Sequence, residues 1–195
     1  MLIDLHTHTR VYSPCSALTP EALVRAARAH GLDGVCITEH DALWLLDEIN
    51  ALAASMDFVV LRGMEVTTEV GHVLVFGLDR HDRAMAVLDN LHPVVRSEGA
   101  LMYLAHPGRR YGTLPPADLS AYFDSVEAQN GTEGILQNEA ASLMAANMRL
   151  PGIGGSDSHS VREVGICATE FDAQVHDEPS FLAALRSGAY HARRV

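Results

Sequence analysis

The pair His6 and His8, set one residue apart directly after the apolar run Leu2-Ile3-Asp4-Leu5, constrains this chain more than any other feature. The run reads as a short buried strand. In extended backbone, residues two apart project to the same side, so a His-x-His at a strand end aims two imidazoles at one point. Two imidazoles held together suit a divalent ion such as zinc, manganese or iron. The arrangement then returns along the chain. The run at 34–38 leads into Glu39-His40-Asp41, and the run at 58–61 leads through Arg62-Gly63-Met64 to Glu65. The run at 101–105 leads into His106-Pro107-Gly108, and Ile153-Gly154-Gly155 leads into Ser156-Asp157-Ser158-His159. His72 opens its run instead of closing it.

Helical patterns alternate with these runs. Thr19-Pro20-Glu21 supplies an N-cap and a first-turn proline, and Gly31 a stop. Further helices are expected near 42–56, 82–98, 116–122, 136–148 and 179–187, with further strands at 72–77, 125–129 and 164–171. The last of these reads as the final strand, and Arg193-Arg194-Val195 as a solvated tail. Alternation with short connections predicts a mainly parallel sheet of seven or so strands in one α/β domain over residues 1–195. An open doubly wound sheet would more often carry a glycine-rich phosphate loop after its first strand, and none follows Leu5. A barrel with a ring of ligands at the strand C-termini is the better reading.

The formal charge of −11, without a Lys/Arg stripe, disfavours nucleic-acid backbone as a general partner. A small phosphorylated molecule stays open as a partner, because bound metal ions invert the local field. Cys15, Cys36 and Cys167 form no CxxC pair, so no disulfide framework is expected and a cytoplasmic setting fits. The first residues show no signal-peptide pattern, and no apolar run approaches the ~20 residues that span a bilayer. Nothing in the sequence sets the oligomeric state.

In order and spacing, Asp4-Leu5-His6-Thr7-His8-Thr9, Ile37-Thr38-Glu39-His40-Asp41, Gly63-Met64-Glu65, Gly71-His72, His106-Pro107-Gly108, Glu127 with Asn130, and Ser156-Asp157-Ser158-His159 resemble the polymerase and histidinol phosphatase (PHP) family of metal-dependent phosphoesterases. The resemblance implies a distorted (β/α)7 TIM-like barrel holding two or three divalent ions, Mn2+, Zn2+ or Fe2+. Carried over, His6, His8, Glu65 and Asp157 hold a first ion. Glu65 bridges to a second, completed by His72 and His106, and His40 with His159 hold a third. The family's usual Asp or His in the loop after His-x-His is missing here. That loop reads Tyr12-Ser13-Pro14-Cys15-Ser16, which makes Cys15 the candidate third-site ligand.

Several imidazoles and carboxylates around a pair of divalent ions suit phosphoester hydrolysis by an activated water. Glu65 is the natural bridge, since a carboxylate has two oxygens. Asp157 is the candidate proton acceptor, and His159 or His40 a general acid. Arg109 and Arg110, after His106-Pro107-Gly108, suit a substrate phosphate, and Asn130 is a further candidate contact. The expected activity is hydrolysis of a nucleotide, sugar phosphate or amino-alcohol phosphate. The alternatives are a non-catalytic metal-binding module of the same type and a metal-dependent amidohydrolase. All 14 basic residues are arginines, which counts against the lysine-bridged metal pair of amidohydrolases.

Overall fold

The computed structural model describes residues 1–110 and 121–195. Its first three strands, β1 (Leu2–Thr7), β2 (Gly34–His40) and β3 (Val59–Thr68), run parallel, with α1 (Pro20–Ala29) and α2 (Leu46–Met56) as crossovers. β3 then turns at once into β4 (Gly71–Phe76), which is antiparallel to β3 and to β5 (Leu101–Leu104). α3 (Leu88–Ser97) precedes β5. Parallel pairing resumes through β6 (Ser125–Asn130) and, after α4 (Ile135–Met148), β7 (Ile153–Gly155). β8 (Cys167–Phe171) and, after α5 (Glu178–Ser187), β9 (Tyr190–Arg194) complete a nine-stranded order of β7-β6-β5-β4-β3-β2-β1-β8-β9.

The two ends of this order meet at β1. Its first residues pair antiparallel with β8, Leu2 with Glu170 and Ile3 with Thr169. Its last residues pair with the segment after β7, where Asp157 N–H donates to His6 O (2.7 Å) and His8 N–H to Ser158 O (3.1 Å). The sheet is therefore a nearly closed barrel, with β8 wedged in at one end. Three strands, β1, β7 and β8, converge there because two residues of β7 carry no side chain. A Cβ on Gly155 would lie 2.3 Å from His6 Cβ, and one on Gly154 would lie 2.4 Å from Ala168 O. Buried Asp4 pins the seam. Its Oδ1 accepts from Ser156 N–H (2.8 Å) and its Oδ2 from Gly165 N–H (3.1 Å), while burial raises its pKa to about 6. Gly155→Ala is expected to destabilise by about 1–3 kcal/mol through overpacking. That corresponds to a fall in Tm of roughly 2–4 °C per kcal/mol at this size. An unchanged melting curve would show that β7 has room to move off β1.

Three apolar clusters support the sheet. α1 and α2 cover Val35, Ile37 and Val60; α3 and α4 cover Met64, Val66, Val73, Val75, Met102 and Val126. α5 packs Phe181 and Leu185 against Phe76 and Phe171, in one cluster with Ile3, Leu5, Leu61, Leu74 and Tyr103. β1 changes register against β2 between Asp4 and Thr7. Alternation along the strand nevertheless sends Ile3 and Leu5 into the apolar cluster and His6 to the opposite side, where it meets His8.

Several sequence expectations shift. Among the described residues nine strands form instead of about seven, and β4, β8 and β9 run antiparallel to their neighbours. The expected solvated tail is β9, paired along β8 from Cys167↔Arg194 to Phe171↔Tyr190. The helix expected from residue 42 starts at Leu46, because Trp44 turns inward and its Nε1–H donates to Glu39 (3.0 Å). The helix expected at 82–98 is a 3-10 turn, Arg83–Ala86, followed by α3. The short helix expected at 116–122 lies mostly outside the described residues. Among the described residues, no helix is long and apolar enough to cross a membrane.

Candidate metal centre

The C-terminal ends of β1, β2, β3, β5 and β7 and the N-terminal end of β4 bring eight side chains together. β4 delivers His72 from its first turn because the strand runs backwards, which sets its opening residue beside Thr67 of β3. Glu65 sits at the middle and is fully buried. Its Oε1 lies 2.8 Å from His72 Nδ1, 3.0 Å from His106 Nε2 and 3.4 Å from His6 Nε2. Its Oε2 lies 2.9 Å from His40 Nδ1 and 3.3 Å from His8 Nε2. Five imidazoles thus face one carboxylate. Burial alone would raise the pKa of Glu65, but His6 and the hydrogen bonds from the other imidazoles hold it well below the usual carboxylate range. Asp157 joins from the far side, with Oδ1 3.3 Å from His8 Nε2 and 3.5 Å from His6 Nε2. It too is held low, because the histidines outweigh its burial.

Three overlapping groups have donor atoms within 4.8 Å of one another: His6, His8, Glu65 and Asp157; His40, Glu65 and His72; and His8, His40 and His159. The first is buried throughout, whereas His40, His72 and His159 are partly exposed. Among the described residues, four buried side-chain polar atoms lack a hydrogen-bond partner: His6 Nε2, His8 Nε2, Glu65 Oε2 and Ser158 Oγ. Three of the four converge in this cluster. A buried polar atom without a partner is costly. Imidazole nitrogens and carboxylate oxygens aimed at one point are what a divalent ion requires. The residues therefore fit a metal.

The surroundings fix which nitrogen is offered. His6 Nδ1 lies 2.9 Å from Glu127 Oε1, and an ionised carboxylate only accepts, so Nδ1 carries the hydrogen and Nε2 is left as a donor to metal. The other Glu127 oxygen accepts the His106 N–H (2.8 Å) and Asn130 Nδ2–H (3.0 Å). His159 Nδ1 likewise donates to Asp157 O (3.0 Å), which frees its Nε2. Burial lowers the pKa of His8 to about 4, so its imidazole is neutral at pH 7. His106 and Asp157 have left-handed backbone, with φ of 30° and 54°. For His106 especially, such strain costs of order 1–3 kcal/mol and persists only where the surroundings enforce it.

The remaining sequence candidates divide. Arg109 stands at the edge of the cluster, with Nε donating to Glu133 (2.5 Å) and Nη2 to Thr132 Oγ1 (3.2 Å) and Asp157 Oδ2 (3.4 Å). Arg110 joins Arg109, His72 and His106 in lining a cavity of about 170 Å³. Asn130 is buried and internally committed. Its Nδ2 donates to Glu127 and Asp157, and its Oδ1 accepts from Thr132 N–H and Oγ1–H. Cys15 is exposed and belongs to none of the three groups. From the same loop Ser13 reaches the imidazole-bearing residues, its Oγ accepting the His40 N–H (3.1 Å) and lying 3.5 Å from His8 Nδ1. Sequence reasoning passed over Ser13, Thr132, Glu133 and the seam role of Asp4. A charged residue inside the apolar run of β1 was the one visible signal among them.

Known proteins place this geometry. The chain is 34% identical over 88 residues to a 3′,5′-nucleoside bisphosphate phosphatase of Chromobacterium violaceum, a match covering 43% of this chain and 30% of that protein. It is 29% identical over 194 residues to an uncharacterised protein of Methanocaldococcus jannaschii, covering 94% of this chain and 76% of that one. Its fold superposes with a TM-score of 0.75 and 21% identity on a two-domain protein of Bacteroides vulgatus containing a predicted PHP-like metal-dependent phosphoesterase, covering all of this chain and 64% of that one. Residues 136–190 match the PHP-associated region and residues 4–149 match the PHP domain. With that match spanning most of its length, the chain belongs to the PHP domain family.

Proposed function

We propose that residues 1–195 form one hydrolase domain that releases phosphate from a small phosphomonoester with the help of two or three divalent ions, Mn2+, Zn2+ or Fe2+. The observation that carries this reading is the convergence of unpartnered, buried donor atoms on Glu65 and Asp157. His6, His8, Glu65 and Asp157 would hold one ion, Glu65, His72 and His106 a second, and His40 with His159 a third. Bound divalent ions supply Lewis-acid polarisation of a phosphoryl oxygen and a lowered pKa for water.

The chain's own groups do the rest. Arg109, braced by Glu133 and Thr132 at the cluster edge, presents its guanidinium to an incoming phosphate. Asp157 Oδ1 and Oδ2 face the imidazoles and Arg109, placed to take up a proton. Where only two ions bind, His159, with Nδ1 committed to a carbonyl, has Nε2 free to hold a proton for the leaving oxygen. The bisphosphate phosphatase of C. violaceum supports a phosphomonoester over a diester.

The test is metal content by ICP mass spectrometry, paired with release of p-nitrophenol from p-nitrophenyl phosphate and its bis ester with and without Mn2+. Two or three equivalents of metal and Mn2+-dependent, EDTA-sensitive hydrolysis of the monoester are expected. Protein that binds no metal and turns over neither ester with any divalent ion overturns the reading.

A further inference from the structure

We propose that Glu39 is the positioning residue of the third ion, its carboxylate standing in for backbone pairing where β1 and β2 part and so keeping the imidazoles of His8 and His40 together. This rests on the hydrolase reading in its three-ion form. The group His8, His40 and His159 consists of imidazoles alone, whereas the other two groups share Glu65. Its geometry is nonetheless tight. The His8 ring stacks on His40 with centroids 4.2 Å apart and planes at 20°, and its centroid lies 4.5 Å from that of His159. The two rings of that stack ride on different elements. His40 is the last residue of β2, and His8 follows the last residue of β1. The ladder between these strands ends at the pair Thr7 and Ile37, short of His40, and the His8 N–H turns away to Ser158 O (3.1 Å).

Glu39 closes that gap. Its Oε2 accepts the Thr9 N–H (3.1 Å) and its Oε1 the Thr9 hydroxyl. Thr9 is fully buried, and a buried backbone N–H beyond the end of a ladder must find another acceptor. Glu39 directly precedes His40 and Thr9 directly follows His8, so the contact joins the two imidazoles through one residue on each side. The carboxylate is fixed from its other side as well. Oε1 also accepts the Trp44 Nε1–H (3.0 Å), and the Trp44 carbonyl accepts from Arg62 Nη1 (3.2 Å). Arg62 is held in turn by Glu178, which accepts its Nε–H (2.9 Å). Glu39 is fully buried and belongs to none of the donor groups among the described residues, so it acts through His8 and His40 and not on a substrate. All three groups that meet it donate, which a carboxylate satisfies and a carboxamide does not. In Glu39→Gln the single oxygen stays with the hydroxyl and the indole. The NH2 then faces the Thr9 N–H and pushes the His8 loop off β2.

The experiment counts bound Mn2+ by equilibrium dialysis in wild type, Glu39→Gln, Thr9→Val and Thr9→Ser, beside turnover of p-nitrophenyl phosphate. A His159→Ala variant identifies which equivalent belongs to the third group. Wild type should bind three ions. Glu39→Gln should hold two as wild type does and bind the His159-dependent one about 10–100-fold more weakly, the usual cost of losing a carboxylate that orients ligating histidines. Thr9→Val, which loses the hydroxyl but keeps the N–H, should weaken the same ion by less, and Thr9→Ser should restore it. A third ion unmoved in Glu39→Gln, or all three ions weakened together, overturns the positioning role. Should Glu39→Gln not fold, the Thr9 pair decides, and equal third-ion affinity in Thr9→Val and Thr9→Ser overturns it. Wild type that hydrolyses p-nitrophenyl phosphate with only two ions also overturns it and leaves the hydrolase reading standing. Wild type that binds no Mn2+ and gives no turnover overturns both.

Discussion

A Glu65→Gln variant is expected to lose metal from two groups at once and to lose phosphatase activity by at least the about 10²–10³-fold that removal of a single preorganised charge-stabilising group costs. The physical reason is the crowding around this side chain. Five imidazoles approach its two oxygens within 3.4 Å. A carboxamide offers one oxygen and one NH2, so it turns a donor toward nitrogens that are themselves donors or metal ligands. The change also alters how protons and metal compete. In metal-stripped protein, burial opposes a charge on His6, but Glu127, Glu65 and Asp157 outweigh it and lift its pKa well above the usual range. The hydrogen bond to Glu65 lifts His72 as well. Metal must displace these protons, so affinity falls as pH drops through the raised values, and metal uptake releases acid. In Glu65→Gln the lift on His72 is gone. Titration with Mn2+ in weak buffer, followed by ICP mass spectrometry, should show less metal bound and fewer protons released. Full metal content in the variant would remove Glu65 from its bridging role.

The parts of this centre that were legible in the sequence are those set by short-range geometry. His6 and His8 share a direction because they are two residues apart near a strand end, and Asp157 and His159 were found because they follow the run Ile153-Gly154-Gly155. Glu65 and His106 were found because each follows an apolar run. What was not legible depends on long-range pairing. The antiparallel course of β4 follows from a two-residue turn at Glu69 and Val70 and from β5 accepting its other edge, and neither shows as periodicity. β9 reads as a charged tail because its arginines face outward, Arg193 pairing with Glu170 across the strand. Asn130 reads as a candidate substrate contact because it ends a strand as the candidate ligands do. Its burial becomes visible only when Glu127, Asp157 and Thr132 close around it. The Cys15 reading rested on position within a loop, and loop residues point where local turns send them. Here the turn brings Ser13 inward, its N–H bonded to Thr9 O (3.0 Å), and leaves Cys15 outside.

Glu127→Gln should lower metal affinity by about 10–100-fold, the usual cost of losing a carboxylate that orients a ligating histidine. Glu127 touches no exposed surface and belongs to none of the three donor groups, so it is a positioning residue. One of its oxygens serves His6 Nδ1 and the other serves two donors, His106 N–H and Asn130 Nδ2–H. Glutamine has one oxygen to give. Turning its NH2 toward two donors costs more than turning it toward one, so the oxygen stays with His106 and Asn130 and the NH2 faces His6. His6 must then accept at Nδ1, which moves its hydrogen to Nε2, the nitrogen aimed at Glu65 and Asp157. The variant keeps the fold and the ring position but offers the wrong tautomer. Nitrogen-15 NMR of the imidazole reads that tautomer directly, and Mn2+ titration reads the affinity. A shifted tautomer with weakened binding is the expected pair of results. Unchanged affinity with the hydrogen still on Nδ1 would reduce Glu127 to a space-filling residue.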